Sequence, residues 1–309
     1  MFVTSWLRRV AVLFLAWVAS AAGTLEGAAG DCQPKRQTEL AILFLRGLPF
    51  VNVTVNGRAA IFLLDTGAER TILAASAAQR LGVAAHYEYP RRMRSLDTAL
   101  FSGDARLRSL GLGSIGLADY SVLVGAVSLP GPDGRPLDGL LGADFFSSFD
   151  VDLDLARGRM ILYERSGCAI AAPPWRAPYT VIAANRSLHD HLSFPVSLDG
   201  RKLAAFIDTG AELSTIDATA VRALGVSGAA LDQDPVANLQ GAGAEVVRSR
   251  AHRFARLQVG GETLQDRVIF VANLQLQDAD LVLGIDFLRL RRLWLSYGAH
   301  QIFLGRPTT

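Results

Sequence analysis

Hydrophobic and polar residues alternate over short segments of the chain, and turn signals separate the segments. The valines in residues 51–55 alternate with polar residues up to the Asn-Gly dipeptide at 56–57, which favours a tight hairpin turn. Residues 61–64 then continue as an apolar strand, whereas residues 74–81 have helical composition and stop at Gly82. This pattern predicts a mainly β fold with one or two short helices in each repeated unit.

The same pattern occurs twice along the chain. Residues 65–69 read Asp-Thr-Gly-Ala-Glu, and residues 208–212 repeat these five residues at an offset of 143. A second shared element, residues 138–145, recurs at 280–287 at an offset of 142. Two elements in the same order at nearly the same spacing indicate two copies of one lobe, because a period this long is typical of duplicated domains and not of a solenoid.

The duplication sets the expected domain boundaries. Lobe 1 is predicted at 45–165 and lobe 2 at 193–305, and each lobe is expected to close with a hairpin near its end. Residues 166–192 include three prolines between 167 and 178 and are interpreted as an interlobe linker. Residues 22–44 are expected to be an N-terminal linker or a pro-segment.

The N-terminus has the features of a signal peptide, predicted at residues 1–21. The basic pair Arg8-Arg9 precedes a short apolar run at 10–18, and the small residues 19–21 are suited to signal peptidase. Export to the periplasm or the medium is therefore expected. An uncleaved anchor and twin-arginine export are the alternatives.

Composition and charge exclude several classes of protein. Half of the 309 residues are apolar and 19% are charged, which is a globular balance. The net charge is only +2 and the arginines are scattered, so there is no electrostatic basis for nucleic-acid binding. No later apolar stretch approaches the length of a membrane span, so none is expected in the mature chain.

Cys32 and Cys168 could pair in an oxidising compartment or remain free thiols.

The aspartates of the repeated Asp-Thr-Gly motif are the candidate chemical groups. A pseudo-twofold axis between the lobes would bring Asp65 and Asp208 face to face, where like charges cannot both ionise easily. Such a pair would share one proton, so that one carboxyl group could accept a proton from water while the other donates to a bound amide. Gly67 and Gly210 would permit the tight turns that expose backbone N–H groups to these carboxylates.

The repeated motifs resemble those of the retropepsin-like aspartic proteases. Asp-Thr-Gly-Ala occurs twice, and each copy is followed about 75 residues later by two aliphatic residues and glycine, as at Leu140-Leu141-Gly142. The resemblance covers roughly residues 45–305 and is closest to the bacterial exported form that carries two lobes in one chain. It implies two tandem closed β-barrels of the retropepsin or pepsin kind, related by a pseudo-twofold axis.

The resemblance also implies site residues. Asp65 and Asp208 would be the catalytic residues, and their support would come from Thr66, Gly67, Ala68, Thr209, Gly210 and Ala211, with the threonine hydroxyls bracing the lobe interface. Mobile hairpins that cover the substrate would fall at 96–103 and at 239–243. Because Ala68 and Ala211 replace the serine that pepsin-like enzymes usually place there, the activity optimum is expected to be less acid than that of pepsin.

The expected function is therefore that of an exported aspartic endopeptidase. It would act as a functional monomer on an extended polypeptide and require neither metal nor organic cofactor. The alternatives are a non-catalytic peptide-binding module that retains the cleft and a dedicated maturase of a single partner.

Two other motifs are interpreted as ordinary structural features. Residues 111–116 match a dinucleotide fingerprint, but no helical pattern follows, so a glycine-rich hairpin is expected. His189-Asp190-His191 has no third metal ligand near it in sequence and is interpreted as a solvated loop.

Overall fold

A computed structural model of the protein describes residues 34–307, except 96–97, 133, 166–171, 177, 188–189, 242–245, 275 and 277, and gives the backbone alone for 88–102. The predicted signal peptide, Cys32 and Cys168 lie outside the described residues. Among the helices that are described, none is long and apolar enough to cross a membrane.

The first half of the chain consists mainly of strands. In chain order its elements are β1 (Arg36–Ala41), β2 (Leu43–Leu45), β3 (Leu48–Val55), β4 (Arg58–Leu64), β5 (Ile72–Ala74), α1 (Ala75–Leu81), β6 (His86–Ser95), β7 (Thr98–Leu112), β8 (Ile115–Gly125), β9 (Gly139–Leu141), α2 (Ala143–Phe146), β10 (Phe149–Asp154), a 3₁₀ turn (Leu155–Arg157) and β11 (Arg159–Glu164).

The second half repeats this order. Its elements are β12 (Tyr179–Ala183), β13 (Asn185–Arg186), β14 (Leu192–Leu198), β15 (Arg201–Ile207), β16 (Thr215–Asp217), α3 (Ala218–Ala223), α4 (Gly228–Asp232), β17 (Val236–Gln240), β18 (Val246–Val259), β19 (Glu262–Ala272), β20 (Leu281–Leu283), α5 (Ile285–Leu288), β21 (Arg292–Ser296) and β22 (Gln301–Gly305). The sequence pattern does not predict α4, a short helix capped by the Ser227 hydroxyl.

Each lobe contains a closed six-stranded barrel, which confirms the predicted fold class. In lobe 1 the strands follow the order β3-β4-β9-β5-β8-β7, and β7 pairs back with β3. In lobe 2 the order is β14-β15-β20-β16-β19-β18, and β18 pairs back with β14. Apolar side chains from the inner faces of both barrels form the main core.

Turns occur where the sequence predicts them. Asn56 and Gly57 have φ values of 51° and 80°, and Asp199 and Gly200 repeat this left-handed pair with 47° and 83°. Such turns match the right-handed twist of the strands they connect. The glycine-rich run at 111–116 spans the hairpin between β7 and β8, as expected, with Gly113 at the turn.

The closing hairpins form a shared sheet that the sequence does not predict. The hairpin β10–β11 and its lobe 2 counterpart β21–β22 pair with each other through β10 and β21, and β1 and β12 add the two outer strands. The hairpins therefore join the lobes instead of closing each lobe separately. β1 falls within the segment interpreted as a linker or pro-segment, and β12 falls within the interlobe linker. The sequence pattern does not indicate these strands, because each is an edge strand whose hydrogen bonds depend on its neighbour.

A buried ion pair stabilises this shared sheet. The Asp152 side chain on β10 has no exposed surface, and both of its oxygens accept hydrogen bonds from Arg292 on β21, from Nε at 2.8 Å and from Nη2 at 2.6 Å. The guanidinium also lies 4.9 Å from the centre of the Trp175 ring. Because burial disfavours the charged form, it raises the pKa of Asp152, and the guanidinium opposes this effect.

We expect Arg292→Met to destabilise the protein by roughly 3–5 kcal/mol, since it leaves the buried Asp152 carboxylate without its partner. Urea denaturation at pH 7 measures this change. The matched control is Arg106→Met, which breaks an exposed pair with Asp119 whose side chains are 63% and 70% exposed. The control should change stability by about 1 kcal/mol or less. Equal losses in the two variants would contradict the structural role of the buried pair.

Candidate active site

Asp65 and Asp208 occupy equivalent positions at the ends of two barrel strands. Asp65 follows β4, and its N–H donates to the carbonyl of Leu141 on β9 at 3.0 Å. The N–H of Asp208, which follows β15, donates to Leu283 on β20 at the same distance. β4 and β9 run parallel, as do β15 and β20, so each aspartate leaves its strand at the same edge of its barrel.

The two carboxyl groups meet where the lobes face each other and form a hydrogen bond. Glycine makes this approach possible. A Cβ atom on Gly67 would lie 2.3 Å from Cγ of Asp208, and one on Gly210 would lie 2.5 Å from Cγ of Asp65. Any side chain at either position would therefore occupy the space of the opposite lobe's carboxyl group.

Backbone N–H groups of the tight turns surround the carboxyl oxygens. Oδ1 of Asp65 accepts from Ala68 at 2.8 Å and from Gly67 at 3.1 Å. Oδ1 of Asp208 accepts from Gly210 at 2.8 Å, and Asp208 also interacts with the N–H groups of Ala211 and Gly67. Both carboxyl groups therefore accept hydrogen bonds from backbone N–H groups of their own turn.

Burial dominates the electrostatics of the pair. Asp65 is 8% exposed, and burial raises its pKa well above the ordinary value, with a further increase from the charge of Asp208. Burial also raises the pKa of Asp208, although the backbone donors and the hydrogen bond from Asp65 oppose this shift. The two groups titrate as a pair. Burial and the repulsion between the two charges therefore favour a state in which the pair holds one proton.

The two threonines of the motif connect the lobes directly. The Thr66 hydroxyl donates to the carbonyl of Ile207 at 2.7 Å and accepts from the N–H of Thr209 at 3.1 Å. In the reciprocal arrangement, the Thr209 hydroxyl donates to Leu64 at 2.6 Å and accepts from Thr66 at 3.2 Å. Both threonines are buried. The four bonds fix the relative position of the strands that deliver the two carboxyl groups.

A second pair of aspartates, which the sequence analysis did not single out, supports the two Asp-Thr-Gly turns. Oδ1 of Asp144 accepts from the backbone N–H of Thr71 at 2.7 Å and from its hydroxyl at 2.9 Å. Asp286 holds Ser214 in the same way, at 2.8 and 2.7 Å. Both aspartates occupy the same position of the repeated element, and the recurrence of an acid at that position was the signal that could have identified them.

The glycines of the second repeated element allow two backbones to approach closely. A Cβ atom on Gly142 would lie 2.4 Å from the backbone of Arg70, and one on Gly284 would lie 2.7 Å from the backbone of Leu213. The absence of a side chain therefore allows the second element to pack directly against the chain that follows each Asp-Thr-Gly turn.

The hairpins β6–β7 and β17–β18 have tips that lie outside the described residues. β6 and β7 pair up to Ser95 and Thr98, and β17 and β18 pair up to Gln240 and Val246. The expected flap segments at 96–103 and 239–243 include these tips, so their role stays a prediction. His189 is also outside the described part, and no group of metal-ligating side chains is present within it.

Comparison with known protein families gives one match in each lobe. Residues 51–145 match the family model for aspartyl proteases, and residues 194–290 match that for the aspartyl protease of gag polyproteins. The chain belongs to the retropepsin-like aspartic protease family and contains two of its domains in tandem. No curated protein gave a significant match.

We expect Thr66→Val to lower the free energy of unfolding by about 2–4 kcal/mol. The change keeps the shape of the side chain but leaves the Ile207 carbonyl and the Thr209 N–H without a partner in a buried interface. Chemical denaturation gives the magnitude. Thr54→Val, on the exposed face of β3, is the control and should stay within about 0.5 kcal/mol of the wild type. An unchanged free energy of unfolding for Thr66→Val would contradict the stabilising role of the Thr66 hydroxyl at the lobe interface.

We also expect Asp65→Asn to unfold at a higher temperature than the wild type at pH 7. A folded-state pKa above the unfolded value means that this carboxyl group favours folding below about pH 4 and loses that contribution as pH rises. Asparagine does not ionise, and its amide can donate to Asp208 as the protonated acid does. Calorimetry from pH 3 to 8 should show the difference growing with pH, and Asp119→Asn on the surface is the matched control. A lower melting temperature for Asp65→Asn at pH 7 would contradict the shared proton.

Proposed function

We propose that this aspartic protease is an endopeptidase that hydrolyses extended polypeptides with a water molecule activated between Asp65 and Asp208. The observation that carries the proposal is the pair of hydrogen-bonded carboxyl groups at the lobe interface, with burial raising the pKa of both. Such a pair can hold one proton at a pH where isolated carboxyl groups would both be ionised. The proposed active form is therefore the one with a single shared proton.

In the proposed reaction one acid of the dyad acts as base and the other as acid. Asp208, in its ionised form, accepts a proton from the water that attacks the amide carbon. Asp65 donates its proton to the carbonyl oxygen, which gives a tetrahedral diol. Asp208 then donates its proton to the amide nitrogen while Asp65 accepts a proton from a hydroxyl group of the diol, so the C–N bond breaks and an amine and a carboxylic acid are released. The single proton of the dyad is restored, and one water molecule is consumed for each bond cleaved.

The two lobes support binding of a substrate as an extended strand. Each lobe contains a hairpin, β6–β7 or β17–β18, and main-chain hydrogen bonding to an added strand would recognise peptide backbone without requiring a particular sequence. One chain supplies both catalytic turns, so we propose that it acts as a monomer. The signal-peptide features of residues 1–21 support export to the periplasm or the medium.

We expect Asp208→Asn to lower the turnover of an unstructured protein and of a peptide library by about 10³-fold, because it removes the base that activates water. The full chain is assayed from pH 3 to 8 with and without a statine-type inhibitor. The wild-type profile should be bell-shaped, and its maximum should lie well above pH 2, since burial raises the pKa of both acids.

The matched control is Asp119→Asn, which changes an exposed acid and should retain wild-type turnover. Circular dichroism establishes that both variants are folded. Retained turnover in Asp208→Asn would exclude the Asp65–Asp208 pair as the source of the hydrolytic activity. Peptide binding without cleavage by the wild type would instead favour a binding module, and cleavage of one partner alone would favour a maturase.

A further inference from the structure

The outer strands of the shared sheet, β1 and β12, occupy equivalent positions in the two lobes. In each barrel a glycine at a hairpin turn packs on the outer strand. A Cβ atom on Gly113 would lie 2.3 Å from Oγ1 of Thr38 on β1, and one on Gly260 would lie 2.7 Å from Cγ2 of Thr180 on β12. Each outer strand pairs with one neighbour, β1 with β11 and β12 with β22. Each strand therefore has a second backbone edge that no strand of the described chain covers.

The open edge of β1 has features that prevent further pairing. Its register shifts between Arg36 and Thr38, and the charged side chains of Arg36 and Glu39 lie on the strand. At the hairpin turn of lobe 1, the Ser114 hydroxyl donates to the carbonyl of Gln37 at 2.8 Å. Irregular register, charge and covering groups are the usual protection of an edge strand.

The open edge of β12 lacks this protection. Its five residues, Tyr179–Ala183, are uncharged, and their register with β22 is regular. The second residue of the hairpin turn, which is Ser114 in lobe 1, is Gly261 in lobe 2 and has no hydroxyl. The side chain of Val181, in the middle of the strand, is 50% exposed. A regular, uncharged strand with an open edge is a template for pairing with another strand.

The hydrogen bonds of β12 identify the backbone groups that face the open edge. The N–H of Ala184, directly after the strand, donates at 2.9 Å to the carbonyl of His300, directly before β22. Backbone groups of an antiparallel strand point alternately to its two sides, so the even-numbered residues of β12 face β22. The odd-numbered residues Tyr179, Val181 and Ala183 face outward, and no hydrogen bond joins their outward groups to the described part of the chain.

We propose that two copies of the chain associate by pairing their β12 strands antiparallel about a twofold axis at Val181. Val181 would exchange two backbone hydrogen bonds with Val181 of the second copy, and Tyr179 would do the same with Ala183 of the second copy. A second copy fits this edge because the outward donors and acceptors match under the twofold axis and no charge is brought opposite itself.

The side chains around the axis support the same pairing. Val181 lies opposite Phe303, which belongs with Trp294 and Tyr179 to an apolar cluster on this face of the sheet. The twofold axis would make the clusters of the two copies continuous and cover the exposed part of Val181. The paired segment is short, so we expect a micromolar dissociation constant. Each copy keeps both aspartates of its dyad, so the proposed catalytic unit remains one chain.

Analytical ultracentrifugation of the full chain tests this pairing. The wild type should change from the mass of one chain to that of two as its concentration rises from about 1 to about 300 µM. Val181→Lys and Val181→Glu should each raise the dissociation constant at least about tenfold, because each brings like charges together at the axis. A mixture of these two variants should regain association, because opposite charges then meet. The matched control is Val246→Lys on β18, where the side chain is 59% exposed, and it should associate as the wild type does.

Amide hydrogen exchange, read residue by residue by mass spectrometry, tests the wild type without a substitution. The amides of Val181 and Ala183 should exchange more slowly at the higher concentration, whereas those of Thr180 and Ile182, which face β22, should not change. None of these measurements depends on catalysis, so their outcome is separate from that of the proposed peptidase function.

Three results would overturn the pairing, once circular dichroism has established that the variants are folded. One is a wild type that keeps the mass of a single chain at the highest concentration. Another is association that Val181→Lys does not weaken, which would place the contact on a different surface. The third is a mixture of the Lys and Glu variants that stays dissociated, because Val181 would then not face its own copy.

Discussion

Two like-charged groups held together away from water are the constraint on which the rest of the site depends. Their repulsion and their burial both favour a shared proton, and the surrounding residues make this arrangement stable. Glycine follows each motif threonine because the opposite carboxyl group occupies the space of a side chain. The backbone N–H groups of both turns stabilise the remaining negative charge. Without these contacts, burial of the pair would be more costly in free energy.

Such a pair also requires two separate lobes to keep a fixed position relative to each other. The threonine hydroxyls connect the lobes at the site itself, bonding across the interface to Leu64 and Ile207. The shared sheet joins the ends of both lobes, and its buried Asp152–Arg292 pair lies on the two strands that meet there. Hydrogen bonds and a buried ion pair depend strongly on geometry, so together they favour one arrangement of the lobes.

The two lobes of this single chain differ around a shared centre. The supporting acids Asp144 and Asp286 repeat their contacts almost atom for atom. The residue that follows each motif glutamate does not repeat, since it is Arg70 in lobe 1 and Leu213 in lobe 2. A symmetric dimer of identical chains would have the same residue at both positions. A single chain can thus place different side chains at equivalent positions of its two lobes.

The sequence by itself determined the features that depend on local chemistry. Alternating valines, the Asn56-Gly57 turn and the helix stop at Gly82 follow from strand periodicity and from glycine's tolerance of positive φ, and the repeat identified Asp65 and Asp208 as a pair. Only the tertiary structure decided that the closing hairpins pair with each other, that β1 and β12 are strands, and that Asp144 and Asp286 support the turns. An edge strand needs a neighbour and a carboxylate needs donors, and both are supplied by residues far away in the chain.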